Sequence, residues 1–176
     1  MTQRPRILLF TGDGKGKTTA AIGLALRAAG HRLPVLVLQF IKADASTGEW
    51  TALGAAGNVE VRQVGLGFLP RSDDAPRFSE HRRAAAEGLR VATEALASNR
   101  YRVVILDEIC LAVARGLLDE QAVLAAVRQA SPQSVVVLTG RGAPPGLIEL
   151  ADTVTEMRCV KHGFEIGRQA QIGVEF

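Results

Sequence analysis

The stretch Ile7–Ala21, which reads ILLFTGDGKGKTTAA, decides the fold, because an apolar run passes through a glycine-rich turn into a helix of small residues. The phosphate-binding P-loop has the pattern G-x-x-x-x-G-K-[ST] between a strand and a helix. Thr11–Thr18 fits this pattern except at its first position, where threonine replaces glycine. Backbone N–H groups of such a turn converge on one anion, and the helix N-terminus adds partial positive charge. The sequence therefore predicts a site for a nucleoside triphosphate such as ATP.

The residues of this loop have separate expected roles. Lys17 is expected to reach the terminal phosphates, and Thr18 to place its hydroxyl on Mg²⁺, with Mn²⁺ as the alternative. Gly12, Gly14 and Gly16 are expected to allow positive φ angles. A glycine-rich turn that binds no ligand is the competing interpretation. The predicted phosphate-binding residues of the loop are Gly12, Asp13, Gly14, Lys15, Gly16, Lys17, Thr18 and Thr19.

Charged residues also follow two other apolar runs. Asp107–Glu108 ends the run Val103–Leu106, and an apolar strand followed by an acid is typical of the second metal-binding segment of P-loop proteins. We therefore expect Thr18, Asp107 and Glu108 to hold the metal, unless the acids merely cap a strand. Arg141 follows another apolar run and a glycine, at the edge where α/β proteins bind ligands. It is predicted to contact phosphate, and a solvated loop arginine is the alternative.

Apolar runs and helical patterns alternate along the chain, which favours a three-layer α/β fold with a mostly parallel sheet of the P-loop NTPase type. The length of 176 residues fits one domain spanning 1–176. On the helix after the loop, the apolar stripe is Ile22, Leu26 and Ala29. The predicted strands are Ile7–Phe10, Val35–Phe40, Val59–Val64, Val103–Leu106, Val135–Thr139 and Gln171–Val174; the predicted helices are Thr18–Ala29, Arg77–Ser98, Asp119–Ala130 and Leu147–Leu150; Ile41–Gly57 and Gly65–Pro76 are predicted to be loops.

Composition narrows the function. The net charge of +3 suits an anionic ligand but is too small to indicate a nucleic-acid partner, and aromatic residues make up 5%, too few for base-stacking platforms. The sequence shows neither a signal peptide nor an apolar stretch long enough for a membrane span, so a cytoplasmic protein is expected. Cys110 and Cys159 are predicted to be buried free thiols, and His31 and His81 to lie at the surface.

Further motifs carry a family resemblance that covers nearly the whole chain. They are VLQFIK at Val37–Lys42 with Gly48-Glu49 after it, GLGF at Gly65–Phe68, VILDE at Val104–Glu108, TGRGAPPGLIELADTVTEM at Thr139–Met157 and VKHGFEIGRQAQIGVEF at Val160–Phe176. Together with GDGKGKTTAA, these segments resemble the P-loop type of cob(I)alamin/corrinoid adenosyltransferases. The resemblance implies a RecA-like fold and a homodimer.

The resemblance also implies a reaction. Enzymes of this family transfer the 5′-deoxyadenosyl group of ATP to the Co(I) of a reduced corrinoid and release triphosphate, so ATP lies in the loop in the opposite sense to that in a kinase. It implies catalytic roles for Lys17, Thr18 and Glu108, and a flavoprotein that reduces Co(II). By position in the family pattern, Phe68, Leu69, Lys42 and Glu49 are the expected corrinoid contacts. Lys161–His162 is expected either to contact the nucleotide or to link two strands.

One departure from the family pattern concerns the corrinoid side. Many members carry tryptophan two residues after the phenylalanine, where this chain has Pro70; its single tryptophan is Trp50. No N-terminal extension that covers the corrin ring is expected before Ile7. The preferred corrinoid therefore stays open. The alternatives are a P-loop kinase or ATPase, a non-catalytic carrier of ATP and corrinoid, and a RecA-like nucleic-acid motor.

Overall fold

The chain folds around a six-stranded parallel sheet. The computed structural model describes residues 4–44, 48–70 and 76–174. The strands lie in the order β3-β2-β4-β5-β1-β6, and every neighbouring pair is parallel. The predicted α/β architecture is thus confirmed. The strands are β1 (Arg6–Thr11), β2 (Val35–Gln39), β3 (Val59–Gln63), β4 (Val103–Asp107), β5 (Val135–Thr139) and β6 (Thr153–Glu156).

Helices cover both faces of the sheet and make the predicted three layers. Alternate residues of a strand point to opposite faces, and the buried side chains of β2 divide in this way. Val35 and Val37 pack with α1 and α2, whereas Leu36 and Leu38 pack with α3, α4, α5 and α6. The helices are α1 (Lys17–Gly30), α2 (Gly48–Gly54), α3 (Phe78–Ala97), α4 (Ile109–Ala114), α5 (Glu120–Arg128) and α6 (Pro145–Leu150), followed by a 3-10 helix at Gly163–Ile166.

The buried face of α1 differs from the predicted apolar stripe. Ala21, Ala25 and Ala28 are buried, whereas Leu26 is 49% exposed. The glycine loop turns the chain directly from β1 into α1, which holds the first turns of this helix close over the sheet. Side chains without a γ-carbon fit there, so the small residues form the buried face and the larger ones lie outside it.

Two element assignments from the sequence are wrong, and one helix, α4, was not predicted. α2 forms inside the segment expected to be loop, because Leu53 finds a fully buried place against the sheet. α4 follows the acid pair directly and continues the apolar run that began in β4. Gln171–Val174 forms a turn, and the sixth strand is β6. Residues 45–47 and 71–75 of the predicted loops lie outside the described residues.

Two side chains also lie elsewhere than predicted. His81 is 3% exposed, because it shares the inner face of α3 with Phe78 and Ala85 at helical spacing. Cys159 is exposed, because it follows β6, an edge strand whose residues are all exposed. Cys110 is buried as predicted, and burial raises the pKa of its thiol to about 12.

The predicted start of a helix at Asp119 is confirmed, and the Asp119 carboxylate caps α5 by accepting a hydrogen bond of 3.1 Å from the Ala122 N–H. Asp152, which directly precedes β6, also accepts a backbone hydrogen bond. Its Oδ2 accepts a 2.8 Å bond from the Ile7 N–H, and Arg4 pairs with its other oxygen. This anchors the edge strand beside β1. In the described part of the chain, none of the helices has the length and apolar character that crossing a membrane would require.

Candidate functional site

A cavity of about 700 Å³ opens at the carboxyl end of the sheet, where the P-loop begins. It brings most of the predicted site residues together. From the loop it is lined by Asp13, Gly14, Lys15, Gly16, Lys17, Thr18 and Thr19, and from other segments by Ile22, Lys42, Gly48, Glu49, Phe68, Glu108, Arg141, His162, Gly173 and Val174. Gly12 and Asp107 lie behind this lining, and Leu69 packs against the hydrophobic core.

The glycines of the loop serve two different purposes. Gly12 and Gly16 adopt the expected positive φ angles, 92° and 118°. Gly14 does not, so its predicted positive φ is wrong. Glycine fits at position 14 because there is no room for a side chain. The Gly14 N–H donates a 2.7 Å hydrogen bond to the Met157 carbonyl, and a Cβ on Gly14 would lie 2.8 Å from backbone atoms of Arg158. The chain leaving β6 therefore presses on the loop and leaves no room for a side chain.

Lys17 holds its ammonium group at the centre of the loop. Its Nζ donates hydrogen bonds of 2.6 Å to the Gly12 carbonyl and 2.7 Å to the Gly14 carbonyl, and the residue is 6% exposed. A lysine ammonium has a third N–H donor. Burial lowers the pKa of Lys17, and the charge of Arg141 acts in the same direction, against the opposing effect of Glu108. The loop thus presents a positive charge within reach of a bound phosphate chain.

Asp107 is 1% exposed and accepts hydrogen bonds from three elements. Its Oδ1 accepts from the Thr18 hydroxyl at 2.8 Å and from the Thr139 hydroxyl at 2.7 Å. Its Oδ2 faces the amide nitrogen of Gln39 at 3.4 Å. These bonds fix the carboxylate beside the Thr18 hydroxyl, so the two oxygens stand where a hard cation between loop and sheet would need them.

Glu108 occupies a strained position in the cavity wall. Its φ is 62°, unusual for a residue with a side chain, and its backbone N–H donates to the Thr139 hydroxyl at 2.9 Å. Its Oε2 is buried without a hydrogen-bond partner in the described structure. Burial raises the pKa of this carboxyl, as does the neighbouring charge of Asp107. A buried, unpartnered carboxylate oxygen aimed at a phosphate loop fits a role in binding a ligand or metal.

The residues present fit Mg²⁺ or Mn²⁺ held together with nucleotide phosphates. Mg²⁺ in nucleotide sites takes one or two carboxylates plus phosphate oxygens and water, not a full protein cage. The Thr18 hydroxyl, Asp107 and Glu108 supply oxygen donors of that kind. The described ranges hold no group of three or more His, Cys, Asp or Glu that could hold a metal ion.

The raised pKa of Glu108 predicts a pH-dependent cost in stability. Below about pH 4.5, the ordinary glutamate pKa, the carboxyl is protonated in the folded and the unfolded chain. Above that value the unfolded chain loses this proton first, so the folded chain binds more protons and the unfolding free energy falls as pH rises toward the raised pKa. We expect Glu108→Gln to raise Tm relative to the parent chain, and to raise it more at about pH 7 than at about pH 4. Each unit of pKa shift corresponds to about 1.4 kcal/mol.

The measurement is thermal unfolding of both proteins in a chelator-containing buffer. The other titrating groups are the same in both proteins, but Glu108 also acts on the pKa of Lys17, so the difference reports Glu108 together with this neighbour. A Tm difference that is the same at about pH 4 and at about pH 7 would contradict the prediction.

Three of the four expected corrinoid residues, Lys42, Glu49 and Phe68, line the cavity together with the loop. The Phe68 side chain is fully exposed at its rim. Lys42 and Glu49 form an ion pair of 2.5 Å. Leu69 lies under this rim against the core, and the Pro70 carbonyl accepts a 2.9 Å bond from Arg115. Contact of these residues with a corrinoid stays a prediction.

Sequence reasoning missed the part played by the C-terminal segment. Met157 packs against the loop glycines, and Gly173 and Val174 line the cavity. The Val174 carbonyl accepts a 2.5 Å bond from the Lys15 ammonium. His162 also lines the cavity, which favours nucleotide contact over a purely linking role for this position. The G-x-G spacing of the loop could have indicated this contact, because closely spaced glycines also mark places where another backbone segment passes nearby.

Comparisons with known proteins show which proteins this chain is similar to. A family model described as ATP:corrinoid adenosyltransferase BtuR/CobO/CobP matches residues 3–176. The chain is 43% identical to the corrinoid adenosyltransferase of Pseudomonas aeruginosa over 175 residues, 99% of this chain and 85% of that protein. It is 41% identical to the one of Escherichia coli K12 over 174 residues, covering 99% and 87%.

Two further likenesses are more distant. Corrinoid adenosyltransferase CobA of Salmonella typhimurium is 38% identical over 175 residues, 99% of this chain and 87% of that protein. Among solved structures, the flagellar accessory protein FlaH of Methanocaldococcus jannaschii superposes with a TM-score of 0.57 over 87% of this chain and 72% of that chain. At 14% identity, this second likeness shows the fold alone.

Proposed function

Because the chain belongs to the BtuR/CobO/CobP family of ATP:corrinoid adenosyltransferases, and is therefore a transferase, we propose that it transfers the 5′-deoxyadenosyl group of ATP to the Co(I) of a reduced corrinoid and releases triphosphate. The family resemblance expected from the motifs is thereby confirmed. One observation carries the finer proposal: a single cavity of about 700 Å³ is lined by the P-loop and by the exposed Phe68. That volume lies in the range of small-molecule sites, and its lining supports a grip on the phosphates of ATP beside an apolar surface for the corrinoid.

The proposed reaction needs little chemistry from the protein. The Co(I) electron pair forms the new bond to the ribose 5′ carbon, and the bond from that carbon to the triphosphate oxygen breaks with its electron pair left on triphosphate. The protein then positions the two reactants in line and stabilises the charge of the leaving group. Lys17, Lys15 and Arg141 line the cavity and are suited to the second task.

A metal would share that task. Thr18, Asp107 and Glu108 are the residues that would hold Mg²⁺ or Mn²⁺, and the ion would neutralise part of the triphosphate charge. In this proposal Glu108 contacts the metal or the ligand, and it also forms part of the wall of the reaction site. Asp107 is fixed by the hydroxyls of Thr18 and Thr139, and it would hold the metal together with the Thr18 oxygen.

The deciding experiment identifies both products. Protein, Mg-ATP and chemically reduced cobalamin are mixed without oxygen, loss of the Co(I) spectrum is followed, and phosphorus NMR identifies the phosphate product. Adenosylcobalamin and triphosphate in equal amounts support the proposal. ADP in place of triphosphate would make the protein a kinase or ATPase, and binding of both ligands without product would make it a carrier.

The remaining expectations belong to the same proposal. We propose a single domain over 1–176, a homodimer, a flavoprotein that supplies Co(I) by reducing Co(II), and a place in adenosylcobalamin biosynthesis or salvage in the cytoplasm. The family relationship supports each of them. Light scattering measures the oligomeric state, and the rate with a flavoprotein donor in place of a chemical reductant measures the reductase dependence.

Phe68 offers a test of the corrinoid side alone. Its side chain is fully exposed, so Phe68→Ala removes apolar contact area for the substrate without opening a cavity in the core. We expect an unchanged Tm, an ATP affinity within a factor of two, and a corrinoid KM raised by about tenfold, the size of about 1.4 kcal/mol of lost contact. Steady-state kinetics with each substrate varied in turn provide the measurement. An equal loss for both substrates would contradict the assignment.

A further inference from the structure

Thr139, the last residue of β5, places a buried hydroxyl group directly behind the acid pair. Leu106 and Leu138 are the last residues in register between β4 and β5. Asp107 and Thr139 each follow one of them, so the two side chains end neighbouring strands side by side. Thr139 is 0% exposed and lies behind the cavity lining. It therefore has no surface that could touch a ligand, and any influence on the site has to pass through its neighbours.

This hydroxyl group connects the two acids. The Glu108 N–H donates to Thr139 Oγ1 at 2.9 Å, and the same hydroxyl donates its proton to Asp107 Oδ1 at 2.7 Å. A hydroxyl has one proton, so with that proton on Asp107 its oxygen accepts from the Glu108 N–H. Consecutive hydrogen bonds of this kind polarise and strengthen one another. One side chain thus fixes the carboxylate of one acid and the backbone of the next.

The bond to the Glu108 N–H matters because Glu108 lies in the left-handed region, with a φ of 62°. A residue with a side chain is strained there and keeps this conformation only where the surrounding structure holds it. The Glu108 carbonyl accepts a 3.0 Å bond from the Ala112 N–H of α4, and Thr139 accepts the bond from the Glu108 N–H. The strained backbone of Glu108 is therefore held on both sides.

Gly140 completes this hold by letting α4 approach the end of β5. A Cβ on Gly140 would lie 2.7 Å from the Leu111 nitrogen and 3.0 Å from the Cys110 Cβ. The first turn of α4 therefore packs directly on the corner Thr139–Gly140, and Glu108 cannot leave its turn without moving this helix. Glu108 then lines the cavity with its Oε2 buried and without a hydrogen-bond partner in the described structure.

We propose that Thr139 is a positioning residue for Mg²⁺ or Mn²⁺ binding: its hydroxyl sets the Asp107 carboxylate and the Glu108 turn together, so that both acids stand beside the phosphate loop before nucleotide and metal arrive. This inference deepens the proposed function and rests on it for the identity of the nucleotide. Thr139 itself contacts neither ligand. Loss of a residue that orients metal ligands from behind typically costs about 10–100-fold in metal affinity.

The test measures ATP binding with and without the metal and needs no turnover. Dissociation constants are measured by calorimetry for Mn²⁺-ATP and for ATP in a chelator-containing buffer, with the parent chain, Thr139→Val and Thr139→Ser. The ratio of the two constants gives the contribution of the metal, separate from what the nucleotide binds by itself. In the parent chain we expect Mn²⁺-ATP to bind at least about tenfold more tightly than metal-free ATP, within the usual range of coupling.

Thr139→Val exchanges the hydroxyl for a methyl group of nearly the same size and leaves the Glu108 N–H without its partner. We expect the ratio to fall about tenfold or more, toward one, with the affinity for metal-free ATP changed less than about threefold. Thr139→Ser keeps the hydroxyl and should stay within about threefold of the parent ratio. Thr139→Ala removes the hydroxyl without setting a methyl group against Asp107, and it replaces the valine variant if valine prevents folding.

Thr93→Val is the matched control. The Thr93 hydroxyl donates a 2.8 Å bond to the Leu89 carbonyl within α3, and Thr93 does not line the cavity. The same chemical change there should leave the ratio at its parent value, and Tm is measured for every variant. A lower Tm with a parent-like ratio in Thr139→Val would mark a merely structural residue and overturn the proposal. Equal losses in Thr139→Val and Thr139→Ser, or a parent chain whose ATP affinity does not depend on the metal, would do the same.

Product analysis separates this inference from the proposed function. If Thr139→Val loses the metal-dependent affinity but the parent chain forms no adenosylcobalamin, the proposed reaction fails while the role of Thr139 stands. If adenosylcobalamin forms and Thr139→Val keeps the parent ratio, the reaction stands and the role of Thr139 fails.

Discussion

Replacing Lys17 with alanine is expected to reduce adenosyl transfer by at least about 10²–10³-fold, the cost of removing one preorganised charge-stabilising donor from an enclosed site. The ammonium group is buried and held by the Gly12 and Gly14 carbonyls, so it is fixed before substrate arrives. A preorganised charge stabilises the leaving triphosphate without first having to be ordered. The loss should appear in kcat as well as in ATP affinity, because triphosphate gains charge as the bond to carbon breaks.

Single-turnover rates with saturating Mg-ATP and excess Co(I) corrinoid separate the chemical step from ATP binding. Arg27→Ala is the matched control, because Arg27 is an exposed cation of the same helix and does not line the cavity. It should retain the parent rate. Activity of Lys17→Ala within threefold of the parent chain would mean that the loop does not grip the leaving group.

The second large effect is expected at Gly12, where alanine should destabilise the fold by at least about 2 kcal/mol. Its φ of 92° costs an L-residue about 1–2 kcal/mol. Its Cβ would also overlap the Met157 carbonyl oxygen and lie 2.9 Å from the Met157 nitrogen. Since these are backbone atoms, relief requires the chain after β6 to move. A loss of this size lowers Tm by about 4–8 °C for a chain of this length, and ATP binding should weaken with it.

Gly23→Ala is the matched control for that experiment. Gly23 lies in α1 with open space around the position of a Cβ. Alanine there should stabilise the helix by about 0.5–1 kcal/mol and raise Tm slightly. Thermal unfolding of the three proteins measures both effects. Equal Tm values for Gly12→Ala and Gly23→Ala would show that the contact with Met157 does not affect the stability of the fold.

The phosphate loop, the acid pair and the parallel sheet could be predicted because their signals are local. Residues 7–21 contain a strand, a turn and a helix in one continuous stretch, and each strand end carries its functional side chain next to an apolar run. Val103–Asp107 illustrates this, since the buried residues and the acid are adjacent in sequence. Parallel strands then bring their carboxyl ends to one edge without further information.

The features that were missed depend on contacts between distant parts of the chain. His81 looks like a surface residue until α3 is placed on the sheet and turns it inward. Gly14 looks like a turn residue, whereas a side chain at this position would collide with Met157 and Arg158, which lie far along the sequence. The amide of Gln39 is one polar residue in an apolar run, and its contact with Asp107 appears only with the strand register.

The position of β6 has a consequence for synthesis of the protein. β1 is flanked by β5 and β6, both of which come late in the chain, and the phosphate loop rests on Met157. During translation, the loop is therefore among the first segments made and among the last to be completed. A nascent or prematurely ended chain that lacks β6 exposes a β1 edge and an unsupported loop. Retention on immobilised ATP is therefore expected to be weaker for chains that end before β6 than for chains that contain it.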